Sequence, residues 1–272
     1  MSQDTNPILS EIDFGGWAEF YASGDSYGHF KDELYPFFAH ALRKLPRGSR
    51  VLDIGAGPGN LALEYHKRHA DHPLAWILVD ASRELLRIAG ERLTDLKIAC
   101  LVRSFNQDDW SDELASIGPC AAIVSTNAIF NVRTERLERF YADCARLVAP
   151  GGWFMNLQSF GWNHLENPQD QQGFPGFAKN MVADFFPGAP AADPAAAARR
   201  EAEKKAVLAK QKAEVTAAKS AGEKLQLDQS GYYFLTVEEH LAALRKAGFS
   251  AGEIWRKREF AVLLAQKPAT PA

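Results

Sequence analysis

Residues Val51-Leu52-Asp53-Ile54 are strand-compatible and run straight into Gly55-Ala56-Gly57-Pro58-Gly59-Asn60, which opens an amphipathic helical stretch. Three glycines spaced two apart at the end of an apolar strand commit the chain to a tight strand–turn–helix unit. Without a Cβ, the backbone can take positive φ and come very close to a ligand. The plain alternative is a tight turn with no ligand. It would carry the entropy cost of three glycines without the gain of a close approach.

The spacing matters. Dinucleotide-binding loops carry G-x-G-x-x-G, with a pyrophosphate on the helix N-terminus. This chain has G-x-G-x-G, and Asp53 lies two residues before the first glycine. A carboxylate there sits badly against a pyrophosphate and suits a ligand with a cationic end, such as the amino group of an amino acid. The run Val51-Leu52-Asp53-Ile54-Gly55-Ala56-Gly57-Pro58-Gly59 resembles the first motif of the class I S-adenosylmethionine-dependent methyltransferases. In that family the glycine loop packs on the methionine part of the cofactor.

A second acid fits the same picture. Trp76-Ile77-Leu78-Val79-Asp80 reads as a buried strand ending in a carboxylate about twenty residues past the glycines, where a doubly wound fold brings its second strand beside the first loop. An acid there can accept both ribose hydroxyls of an adenosine. Asp80 can equally cap the helix that begins near Ser82, and the two roles are compatible.

The remaining order is alternating. Strands are expected at 50–54, 76–80, 97–103, 121–126 and 153–158, and helices at about 60–69, 82–93 and 134–148. Buried strands alternating with helices argue an α/β fold with a parallel, doubly wound sheet. Thr236 with Glu239 forms a capping box for a late helix, followed by strands at 254–257 and 260–266. This ending is similar to that of the methyltransferase sheet, whose last strand is antiparallel. The resemblance therefore implies a Rossmann-like, seven-stranded sheet over residues 48–158 and 234–266. An aromatic prelude over residues 1–47 is read as an N-terminal helical lid. Residues 159–233 are read as an insertion after the fifth strand: a loop, then an exposed Ala/Lys/Glu-rich helix with few large apolar residues.

The resemblance carries further positions one by one. Asp53, Gly55, Gly57 and Gly59, then Asp80 with Ala81, are the cofactor-binding candidates of the first two strands. After the third strand, Asn106 with Gln107 beside it would read the adenine; Asp108 is the competing register, and a purely capping turn is the other reading. After the fourth strand, Asn127 and Ile129 would lie near the sulfonium. Many relatives begin that strand with an acid, whereas this chain has Ala121. Methyl transfer is a displacement at an activated carbon, so alignment and removal of a proton are what the protein must supply. His164, in the loop after the fifth strand, and His29, in the prelude, are the candidate general bases. The prelude aromatics, Phe160, Trp162, Phe174, Phe177 and Tyr232-Tyr233 would wall the acceptor pocket.

Other classes are disfavoured by what the sequence contains. Hydrophobic residues make up 46% and charged residues 24% of 272, ordinary values for a globular enzyme, and the net charge of −3 gives no pull toward nucleic acid. His66, His69 and His72 are spaced for a metal but fall on and after a helix that faces away from the pocket, so they are expected at the surface and no metal is expected. Cys100, Cys120 and Cys144 have no C-x-x-C spacing and read as reduced, buried thiols of a cytoplasmic protein. No signal peptide or membrane span is visible. The reading is metal-independent methyl transfer from S-adenosyl-L-methionine to O, N or C of a small-molecule acceptor. The Asp-Asp-Trp and Asn-Ala-Ile-Phe segments are most similar to the group that methylates aconitate, quinones or sterols. A catalytically silent, methyltransferase-like binding subunit and a nucleotide-dependent oxidoreductase are the alternatives, and the inserted helix is a candidate homo-oligomer contact.

Overall fold

The computed structural model describes residues 9–10, 30–160, 227–228, 235–257 and 260–269. All lie in one compact unit, Met1–Gly161 with Leu227–Ala272. Its elements are β1 (Leu9–Ser10), α1 (Phe30–Leu42), β2 (Arg50–Ile54), α2 (Asn60–Arg68), β3 (Ala75–Asp80), α3 (Arg83–Arg92), β4 (Ile98–Val102) and α4 (Asp112–Ile117). There follow β5 (Cys120–Thr126), α5 (Leu137–Leu147), β6 (Val148–Ser159), β7 (Leu227–Asp228), α6 (Val237–Lys246), β8 (Ser250–Lys257) and β9 (Phe260–Gln266).

Seven strands form one sheet in the order β4-β3-β2-β5-β6-β9-β8. Strands β2 to β6 run parallel to one another, and β9 is antiparallel to both β6 and β8. This is the doubly wound, Rossmann-like sheet with an antiparallel last strand that the alternating pattern implied. A short parallel pair, Leu9–Ser10 with Leu227–Asp228, lies apart from it.

Successive residues of a strand point to opposite faces, and the core divides accordingly. On one face Leu52, Ile54, Ile77, Ile123, Phe154 and Leu263 pack under α5 and α6. On the other, Val51, Leu78, Val124, Met155 and Val262 pack under α1, α2 and α3. The described part of the expected lid, α1, is embedded there: Leu34, Tyr35, Phe38 and Leu42 are all buried. Their hydrophobic faces thus fill the core, and Tyr35 and Phe38 are not walls of an open pocket. Phe160 is likewise buried, its ring edge-on to His240 at 5.0 Å.

Two side-chain expectations are corrected. His72 is not at the surface: it is buried, and its Nδ1 meets the Tyr65 hydroxyl at 2.7 Å, so the loop after α2 closes on an internal hydrogen bond. Cys100 is exposed on the edge strand β4, while Cys120 and Cys144 are buried. An edge strand has one face and one side open to water, which the apolar run of β4 disguised.

The face under α5 and α6 holds a polar seam. The His240 ring is fully buried, and burial pushes its pKa down to about 3, so it is neutral. Its Nδ1 meets the Tyr141 hydroxyl at 2.6 Å and its Nε2 meets the Gln158 amide nitrogen at 3.3 Å. A donating amide requires a bare Nε2, which puts the ring proton on Nδ1 and the Tyr141 oxygen in the accepting role. Beside this seam Asn156 is fully buried with neither amide atom hydrogen-bonded. Leaving such a group unmade costs about 1–3 kcal/mol. Asn156→Leu is therefore expected to raise the urea midpoint of unfolding; a lower midpoint would mean that the amide is satisfied by something held inside the protein.

Candidate cofactor site

The site is built at the carboxyl ends of β2, β3 and β5, where open α/β sheets bind ligands. Gly55, Gly57 and Gly59 have φ of 69°, 53° and 73°. The three glycines have different surroundings. A Cβ on Gly55 would lie 2.1 Å from the Cβ of Ala128, and one on Gly59 would lie 2.6 Å from Leu93 Cδ1. At Gly57 nothing lies within 4 Å of that position. The loop is thus packed at both ends and open at its middle glycine. Its backbone is anchored to β3 by the Gly55 and Ala56 N–H groups, which donate to the Val79 carbonyl at 2.8 and 3.1 Å.

Asp80 ties this loop to the next one. Its Oδ2 accepts from the Gly57 N–H and its Oδ1 from the Ser82 N–H, both at 2.8 Å. Ser82 in turn caps α3, its hydroxyl accepting from the Leu85 N–H at 3.3 Å. The two readings of Asp80 therefore coexist: it supports the helix start, and each oxygen keeps a second lone pair for a hydroxyl. Burial raises its pKa, against the three backbone N–H groups of Ser82, Gly57 and Ala81 that favour the anion.

Asp53 is the second carboxylate. It is buried, and Oδ1 has no hydrogen-bond partner. Burial, and then the Asp80 charge, push its pKa up to about 8. Two acids at the ends of adjacent strands and on the same face favour a cation between them.

The other candidates are placed as follows. Asn106 is buried and its amide is engaged inside the protein: Nδ2 donates to the Asn131 carbonyl at 2.9 Å and Oδ1 accepts from the Arg133 N–H at 3.0 Å. It braces the short turn Ile129–Asn131. The Gln107 N–H donates to the Ser104 carbonyl at 2.9 Å, and its side-chain oxygen accepts from the Ser104 N–H at 3.3 Å. Asp108 is exposed, and the Arg136 guanidinium, 2.5 Å away, holds its carboxyl below the usual range. Asn127 follows β5 directly with φ of 58°, and among the described residues it is the one non-glycine with positive φ. Its N–H donates to the Leu157 carbonyl at 2.6 Å, and the turn it makes delivers Ala128 onto Gly55. Ala81 lies between Asp80 and the helix cap. Ile129 is buried in the core under α5, and Ser125 donates to the Ile54 carbonyl at 2.8 Å on that same face, away from Asp53. His29 and His164 lie outside the described residues. No cluster of three metal-ligating side chains occurs among the described residues.

Arg92 and His240 escaped the sequence reading. Arg92 sits in a charged last helical turn that resembles any solvated one, and the position of His240 in a capping-box helix gave no sign of its burial.

Residues 51–152 match the methyltransferase domain family. The chain is 28% identical over 152 residues to the ubiquinone/menaquinone biosynthesis C-methyltransferase UbiE of Ralstonia pickettii; the match covers 52% of this chain and 56% of that protein, about half of its length. An O-methyltransferase family protein from Burkholderia thailandensis has a similar structure (TM-score 0.53, 14% identity, 96% of this chain and 66% of that one). Human N-acetylserotonin methyltransferase, solved with S-adenosylmethionine, is similar too (TM-score 0.52, 13% identity, 92% and 55%). In its sheet order the chain shares the fold of these two proteins, and over residues 51–152, which carry the glycine loop and the paired acids, it is similar to the methyltransferase domain family.

Proposed function

We propose that this protein binds S-adenosyl-L-methionine and transfers its methyl group to a small organic acceptor without a metal. The observation that carries the cofactor assignment is the orphaned, buried oxygen of Asp53 beside a glycine loop that is open at Gly57. A cationic amino group would supply the partner that Asp53 lacks. Asp80 would accept the ribose hydroxyls with the lone pairs its backbone contacts leave. The turn after β4 would receive the adenine, with Asn106 bracing that turn and Gln107 half-buried beside it. Asn127 would border the reacting end. When bound, the cofactor supplies a methyl carbon already activated by a sulfonium; the chain contributes binding, alignment and exclusion of water. His164 and His29 remain our candidates for a proton acceptor, and residues 159–233 for an acceptor cover or a homo-oligomer contact.

The curated relatives are named for ubiquinone and menaquinone biosynthesis, so quinone precursors are the first acceptors to assay. A domain that binds cofactor without turnover is the second reading, favoured by Ala121 near the start of β5, where the resembling family carries an acid; it predicts S-adenosylhomocysteine binding with no product from any acceptor. No described helix is long and apolar enough to cross a membrane. A cytoplasmic protein acting without nucleic acid fits the proposal.

The Asp53 pKa gives the proposal a pH signature. Below about pH 8 the free protein holds the proton. A bound cation favours the carboxylate, so binding releases that proton, and affinity for S-adenosylhomocysteine should rise between pH 6 and 8. The sign for stability is opposite: the folded carboxyl binds its proton more tightly than the unfolded one, so Asp53 stabilises less as pH climbs from about 4 to 8. Calorimetry in two buffers of different ionisation enthalpy measures the release. Asp53→Asn should remove it, and an unchanged proton count in that variant would refute the assignment.

A further inference from the structure

We propose that Arg92 is a positioning residue that locks the glycine loop in its ligand-binding shape. Its role in cofactor binding rests on the reading of that loop given above. Arg92 lies in the last turn of α3 and is half-buried. Its Nη1 donates to the Pro58 carbonyl at 2.9 Å and to the Asn60 side-chain oxygen at 2.8 Å. These two atoms flank Gly59, the left-handed residue that turns the loop into α2.

The consequence for the loop is geometric. The Pro58–Gly59 peptide is held from both sides: its carbonyl by Arg92, its N–H by the Ala56 carbonyl at 3.0 Å. A peptide held at both polar ends cannot rotate, so the orientation of the whole 57–60 turn is set. The same helix presses Leu93 and Ala89 against Gly59 and, at its start, shares with Gly57 the carboxylate of Asp80. Helix α3 therefore grips the loop at both ends, and Arg92 is the polar contact of the far end.

Electrostatics argues that the contact is for shape. A cation beside a helix N-terminus opposes the helix dipole. Here Arg92 is set against the start of α2, and burial lowers its pKa, with Tyr35 of α1 offsetting part of that effect. An unfavourable position is kept by two directed bonds from a charged donor, which are individually stronger than the dipole term. Both bonds leave one nitrogen, Nη1, so a lysine ammonium has donors enough for them, but its flexible stem lacks the planar guanidinium that fixes where that nitrogen sits, and it restores the contact only in part.

The test compares wild type with Arg92→Met and Arg92→Lys. First, amide hydrogen exchange of the peptide spanning 52–64 is followed in the free protein. Arg92→Met should speed exchange there at least tenfold, with Arg92→Lys in between and the peptides of β5 and β6 unchanged. Second, titration with S-adenosylhomocysteine should show an affinity at least tenfold weaker in Arg92→Met, partly recovered in Arg92→Lys. Loop exchange equal to wild type overturns the proposal, as does exchange that rises uniformly across the protein. Faster loop exchange with unaltered affinity overturns the link to binding. Should Arg92→Met fail to fold, the Arg92→Lys exchange pattern decides alone. A wild type that does not bind S-adenosylhomocysteine would count against the proposed function and leave the exchange result to judge Arg92.

Discussion

Gly55→Ala is expected to lower the melting temperature by on the order of 10 °C. Two separate costs add at this residue. An alanine at its φ of 69° pays roughly 1–2 kcal/mol for the left-handed conformation. Its Cβ would also lie 2.1 Å from the Cβ of Ala128, and overpacking of this kind costs about 1–3 kcal/mol. At roughly 2–4 °C per kcal/mol for a protein of this size, the sum is large. The contact is with one methyl group, so the double variant Gly55→Ala/Ala128→Gly should regain the packing part and keep the conformational part. Differential scanning calorimetry on the two single variants and the double separates them. A double variant no better than Gly55→Ala would show that the strain is in the backbone alone.

Asp80→Ala is expected to weaken S-adenosylhomocysteine binding by roughly 100-fold or more, because hydrogen bonds to a charged group are each worth about 1.5–3 kcal/mol and two are at stake. The same change releases the Gly57 and Ser82 N–H groups, which now share the carboxylate. Asp80→Asn separates the effects: it keeps one accepting oxygen and loses the charge. Isothermal titration should rank wild type, Asp80→Asn and Asp80→Ala in that order. Equal affinities across the series would remove Asp80 from the site.

Much of this architecture is written in local sequence patterns. The strand at 50–54, the glycines and the second acid are local patterns, and their meaning depends only on residues within a few positions. The capping box at Thr236 is of the same kind and is formed as expected. What was missed depends on distance or on weak patterns. Helix α4 has six residues, too few for a periodicity to emerge. Strand β8 begins at Ser250, four residues earlier than its apolar content suggests, because Ser250, Gly252 and Glu253 are carried into the sheet by pairing with β9. Asn106 has the right residue type for an adenine contact, yet its amide reaches backbone atoms 25 and 27 residues further on. Only the fold brings those together. The fate of Ser125 follows from strand parity: it lies one residue out of step with the Asp53 face, where Val124 and Thr126 point.

The position of β9 has a consequence for how the chain is made. It is the last of the seven strands to be synthesised, yet it lies between β6 and β8. Until residue 266 has emerged from the ribosome, β6 is an open edge and β8 has no partner. The five parallel strands and the loop with its two acids can assemble earlier, as a half-sheet already shaped for its ligand. During that interval the exposed edge of β6, with Met155 and Leu157 on one side of it, is the surface most in need of shelter from neighbouring nascent chains.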